Sequence, residues 1–240
     1  AVTTSDTVRG FQWGDYFYFG SPGIATGIVR YAITTPAINE PATSHTALYD
    51  LLLIDNNAIS VEYITGTKTW FVSWSADGLP EDWTGAGSGS KSYYDAKYIN
   101  SVAYSRYGVL MFSKYAERIE ATGTADPTFA FSKIESVDGA ANRDCVVELG
   151  GKVWFLDNSY KLMVLVNDEV RLVDDSTSLV NSYDTPKLFA LRAIGLVSVS
   201  YPYSQAAGAR NTSMYNDSLQ KVFGSAGTGW AWSVAATSGD

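Results

Sequence analysis

The stretch Arg143–Asp174 reads RDCVVELGGKVWFLDNSYKLMVLVNDEVRLVD. Four short β-branched and aromatic runs alternate in it with turn residues. RDCVVEL leads to Gly150-Gly151, KVWFL to Asp157–Ser159, YKLMVLV to Asn167-Asp168, and EVRLVD closes the series. Runs of about six residues joined by turns of two or three, with Gly-Gly and Asn-Asp at the corners, predict antiparallel hairpins in sequence. Four such strands in about 32 residues make one meander the size of a propeller blade.

The same texture spreads outward from this unit. LYDLLLID, AISVEYITG and TKTWFVSWS read as three strands, and so do YINSVAY, VLMFS and AERIEATG. RGFQWGDYFYFG and IATGIVRYAI open the chain, while LRAIGLVSVSYPY, NTSMYNDSLQKVF and GWAWSVAA close it. Helical periodicity is nearly absent; SLQKVF and KYAERIEA are the only short runs that tempt a helix assignment. The inner apolar strands fall near Phe17, Leu52, Leu110, Phe155 and Val197, at intervals of roughly 35 to 58 residues, against about 40 to 50 for blade repeats. The predicted fold is therefore all-β, a propeller-like array of antiparallel four-stranded meanders, with a β-sandwich or jelly roll as the alternative. The chain is expected to form a single all-β domain over 1–240. Its five blade-like units are placed at 9–45, 46–84, 93–138, 139–186 and 187–240.

Composition narrows the functional classes. The 240 residues are 46% hydrophobic and 14% aromatic, enough for a packed core rather than disorder. Formal net charge is −8, and Lys and Arg are scattered singly, which argues against a nucleic-acid or anionic-membrane ligand. Cys145 is the one cysteine and His45 the one histidine. A zinc site, a Ser-His-Asp triad or a Cys-His pair has almost nothing to be built from. Cys145 reads as a small buried hydrophobe in a strand and His45 as a solvated loop residue. No apolar run approaches a membrane span, and the first residues lack the pattern of a signal peptide. With no initiator Met, the chain is expected to be a processed or partial product. The sequons at Asn211 and Asn216 read as chance matches.

Trp74–Ser92, WSADGLPEDWTGAGSGSKS, nearly matches two catalytic signatures. Against a phosphate-binding loop, Ser90 stands where the second invariant glycine belongs, and a strand-like tyrosine-rich run follows instead of a helix. Against a sialidase aspartate box, Ser75, Asp77 and Trp83 are present, but Gly78 is one position early and the tryptophan one late. Sialidase-type chemistry would require three of Arg9, Arg30, Arg106, Arg118, Arg143, Arg171, Arg192 and Arg210 around a tyrosine, and nothing in the sequence gathers them. Glu117 and Glu120, at odd spacing on a strand, face opposite sides. Asp174-Asp175 reads as an exposed turn, since it lacks calcium-loop spacing. The stretch reads as a strand end, a proline-fixed acidic turn, an anchoring Trp83 and a flexible Gly/Ser loop. No catalytic, cofactor-binding or metal residue is expected, and the chain is expected not to be an enzyme.

At Phe71–Thr84, FVSWSADGLPEDWT, the sequence resembles the β-propeller region of tailed-bacteriophage tail proteins of the nozzle, tail-tube and head-tail stabilisation type. The segments 107–136, 137–175 and 201–232 continue the likeness, which covers most of residues 50 to 235. Members are usually far longer, and the Asp-Gly usual in the third unit is Asn158-Ser159 here. The resemblance implies a structural virion component, a homo-oligomeric ring around the tail axis, made in the host bacterial cytoplasm. It would meet portal, adaptor or other tail proteins and let DNA pass without specific binding, with no membrane anchor. The family carries no catalytic residues. The rival readings are a carbohydrate-binding, lectin-like propeller using aromatic pockets and, behind it, a propeller glycosidase.

Overall fold

The computed structural model describes residues 9–20, 27–39, 48–104, 107–124, 128–174, 186–191, 196–202, 210–216 and 221–223. Every element in these segments is a strand, and the strands form five four-stranded sheets, within each of which the strands lie side by side in sequence order. The first sheet holds β1 (Arg9–Trp13), β2 (Tyr16–Gly20), β3 (Ile28–Ala32) and β4 (Ala37–Asn39). The second holds β5 (Leu48–Ile54), β6 (Asn57–Ile64), β7 (Thr69–Trp74) and β8 (Gly89–Tyr93). The third is β9 (Ile99–Tyr104), β10 (Tyr107–Phe112), β11 (Ala116–Ala121) and β12 (Phe129–Ile134). The fourth comprises β13 (Val146–Glu148), β14 (Val153–Leu156), β15 (Leu162–Val166) and β16 (Glu169–Asp174). The fifth comprises β17 (Lys187–Leu191), β18 (Leu196–Pro202), β19 (Arg210–Asn216) and β20 (Lys221–Phe223). These are sequential antiparallel meanders, the propeller-like architecture, and not the crossed connections of a sandwich or jelly roll.

Turn chemistry sets the registers. In the fourth sheet Leu149 and Lys152 exchange both backbone hydrogen bonds, at 3.0 and 3.2 Å, around Gly150 and Gly151. Those glycines have φ of 65° and 68°, the left-handed geometry of a two-residue hairpin turn. Asn167 and Asp168, at 51° and 63°, make the next such turn. The corner between β14 and β15 is longer than the three residues DNS. The Asp157 carboxylate accepts the amides of Ser159 and Lys161 at 2.8 Å each, which draws Tyr160 and Lys161 into the turn and starts β15 only at Leu162.

The chain divides into two compact units, Ala1–Phe112 with Glu117–Lys133, and Ser113–Ala116 with Ile134–Asp240. The single domain over 1–240 stays an expectation beside this division. In the first unit β1 lies against β5 and β5 against β9; in the second, β13 lies against β17. Within each unit the first strands of consecutive sheets are thus neighbours, as in adjacent blades. The second unit's core gathers Cys145, Trp154, Leu156, Leu162, Leu188, Val197 and Val199. The first has a cluster of Phe11, Tyr18, Ile28, Leu48, Leu51 and Ala58, on which Trp13, Tyr16, Leu53 and Trp83 pack from the side.

Several expectations shift in detail. KYAERIEA supplies β11 and the Lys-Val-Phe of SLQKVF supplies β20, so neither is helical. The Gly/Ser tract is only half loop: Gly89–Tyr93 is β8, paired with β7 from Trp70↔Tyr93 to Trp74↔Gly89. The expected unit 46–84 closes before this strand. No helix among the described residues is long and apolar enough to cross a membrane. His45, Asp175, Arg106 and Arg192 lie outside the described residues.

Candidate functional site

The loop between β7 and β8 is built residue by residue from WSADGLPEDWTGAGS. Buried Ser75 accepts the Ala58 amide through Oγ at 3.0 Å, and Asn57 Nδ2 donates to the Ser75 carbonyl at 2.7 Å. The Ala76 amide donates to the Asp82 carbonyl at 2.7 Å and the Asp82 amide to that of Leu79 at 3.0 Å, closing a tight turn around buried Pro80. Asp82 Oδ1 then accepts the amides of Thr84 and Gly85 at 3.1 and 2.8 Å. These bonds to the charged form hold its carboxyl below the usual carboxylate range. A Cβ at Gly85 would stand 2.1 Å from Asp82 Oδ2, so a larger residue would push this carboxylate aside. Beyond it, Trp74 Nε1 donates to the Gly87 carbonyl at 3.0 Å, which pins the far arm.

This turn carries Glu81 to the first sheet. Glu81 Oε1 accepts the Tyr18 hydroxyl at 2.9 Å and Nη1 of Arg30. Tyr18 and Arg30 are cross-strand partners on β2 and β3, so one face of that sheet presents both groups. The Arg30 guanidinium also lies over the Tyr16 ring, 4.8 Å from its centroid. Trp13, paired with Tyr16 across the hairpin, and Trp83 pack with Tyr16 against the hydrophobic cluster that includes Tyr18, all three rings partly buried. Burial first, then the hydrogen bond and charge of Glu81, push the Tyr18 phenol up to about 12. Burial opposes the charge on Arg30, but the Glu81 bond and charge outweigh it and raise its pKa. The arrangement is two half-exposed ionic groups bordered by flat aromatic surfaces.

This cluster is absent from the sequence reading, which treats Arg30 as one unplaced arginine and Glu81 as a turn residue. The one local signal is Pro80-Glu81-Asp82-Trp83, a fixed acidic turn next to an anchoring aromatic. Three arginines around a tyrosine are not found among the described residues of either unit: Arg30 alone meets Tyr18. Arg9 lies 3.9 Å from Asp50, and Arg118 and Arg171 pair with Glu120 and Glu169. Glu117 accepts Lys91 Nζ at 2.9 Å and the Tyr93 hydroxyl at 2.5 Å, well apart in role from Glu120 on Arg118. Cys145 is fully buried, its thiol directed at the Pro186 carbonyl at 3.2 Å, and burial pushes its pKa up to about 12. That is the chemistry of a packing residue rather than a thiolate. Among the described residues no three His, Cys, Asp or Glu side chains gather in a way that could hold a metal ion.

No family model matches the sequence, and no curated protein does. Solved structures do match by fold. A putative exported protein from Bacteroides fragilis superposes with a TM-score of 0.51 at 7% identity, over 89% of this chain and 69% of that one. The GH43 BlXynB protein from Bacillus licheniformis gives 0.44 at 10% identity, over 89% of this chain and 53% of that one. A Synechocystis apocarotenoid oxygenase gives 0.43 at 9% identity, over 90% and 58%. The chain thus spans little more than half the length of the last two. The likeness establishes a shared fold, and nothing in it is specific to phage tails. It corrects one expectation. The structures that share this fold include enzymes, so the expectation of a chain that is not an enzyme, argued from scarce His and Cys, does not stand.

Proposed function

We propose that the chain is a carbohydrate-recognising propeller module, with the ligand resting on the Trp13, Tyr16 and Trp83 rings beside the Arg30–Glu81 pair. The observation that carries this reading is that pair itself. With side-chain exposures of 28% and 36%, it lies at the surface beside the Tyr16 ring and contributes about 0–1 kcal/mol to stability. Aromatic faces supply stacking area for sugar C–H groups, and a planar guanidinium with a carboxylate supplies the directional hydrogen bonds. A glycan array tests it: the purified chain binds, and binding falls with Tyr16→Ala.

A second reading, the virion component implied by the resemblance at Phe71–Thr84, is favoured by apolar side chains on outer strands. Ile38 on β4 and Leu172 on β16 are 68% and 53% exposed, and both strands are sheet edges where a neighbouring subunit would seat. Such a chain would form a ring with other tail proteins. Cryo-electron microscopy of a particle containing it decides this reading: density on the tail axis supports it, and absence from the tail removes it.

A further inference from the structure

We infer that the aromatic and Arg30–Glu81 patch selects neutral, vicinal-diol sugars over glycans that carry a carboxylate, an inference resting on the carbohydrate reading above. The reason lies in which atoms are already used. Glu81 commits Oε1 to Tyr18 and to Arg30 Nη1, which leaves Oε2 as an acceptor. Arg30 commits Nη1, and its Nε is buried out of a ligand's reach, which leaves Nη2 as the donor group. One acceptor, Glu81 Oε2, and one donor group, Arg30 Nη2, are therefore left for two adjacent hydroxyls. One hydroxyl donates to Glu81 Oε2 while its neighbour accepts from Arg30.

Charge decides against an acidic ligand. The single guanidinium is already neutralised by Glu81, and Asp82, next along the chain, adds a second carboxylate held by the Thr84 and Gly85 amides. A ligand carboxylate would face this acidic pair with no uncompensated cation. The chain as a whole carries −8, which repels anions further. Bidentate Arg–carboxylate recognition, the usual way of reading an acidic sugar, needs two guanidinium nitrogens, and here Nε is buried and Nη1 is held by Glu81.

The test is isothermal titration calorimetry with matched oligosaccharides that differ only in a terminal glucose or glucuronate, at low salt. The neutral member is expected to bind at least ~10-fold tighter, with the gap narrowing as salt screens the carboxylates. Glu81→Gln, which leaves Arg30 uncompensated, is expected to shrink or reverse the preference. Should that variant not fold, the wild-type pair still decides. Equal or tighter binding of the glucuronate member overturns the inference and leaves carbohydrate binding standing. Binding of neither member removes both.

Discussion

At the scale of single residues, Tyr18 shows how burial and a partner set a chemical state. Its ring is 4% exposed, and its hydroxyl donates to Glu81. The phenol therefore stays protonated to about 12 in the folded chain, against 10.0 for the free group. Since the folded pKa lies above the unfolded one, this contribution to stability is intact below pH 10 and is lost as pH rises toward 12. Ultraviolet titration of phenolate absorbance will show a late step from Tyr18, and Glu81→Gln will move that step down. A late step unchanged in the variant would mean that Glu81 does not hold the hydroxyl. None of this is visible from sequence, because Tyr18 and Glu81 are 63 residues apart and nothing in their local pattern links them.

Elements were legible in proportion to how strongly their pattern was forced. The strands from Val146 to Asp174 announce themselves because β14 is buried at all four positions and its flanking turns require left-handed geometry. The edge strands β4 and β8 escape for the opposite reason. β4 is exposed at all three positions, and β8, Gly-Ser-Lys-Ser-Tyr, carries no β-branched residue. An edge strand held by one neighbour has little burial to write into its sequence. Some connections are fixed by backbone contact alone. At Gly139, with φ of 96°, an added Cβ would lie 2.5 Å from the backbone of Ser113 and Lys114. Asn158 Nδ2 donates to the Ser113 carbonyl at 2.9 Å and to that of Asp138 at 3.2 Å, clasping the same crossing. Gly139→Ala is expected to destabilise the protein by roughly 2 kcal/mol or more, through both the clash and the positive φ. Gly150→Ala, with nothing within 4 Å, is expected to cost only about 1 kcal/mol. Urea unfolding of the two variants side by side checks the ranking, and equal losses would show that the crossing at Ser113 is not rigid.

For the whole molecule, the five-sheet array was readable from turn spacing, whereas the candidate site was not. Its parts come from a hairpin, a cross-strand pair and a loop of the next sheet, and only tertiary packing brings them together. The Pro80–Trp83 turn connects both levels: it stood out in the sequence, and in the structure it is the arm that carries Glu81 to Arg30. Carbohydrate recognition at that meeting point is the central claim. Its most direct measurement is a glycan array probed with the wild-type chain and with Tyr16→Ala, a variant that removes a half-buried ring and keeps the Tyr18, Arg30 and Glu81 side chains. Reproducible binding by wild type to neutral glycans, reduced at least ~10-fold in the variant, is the predicted result. No bound glycan, or binding identical in the two proteins, would contradict it.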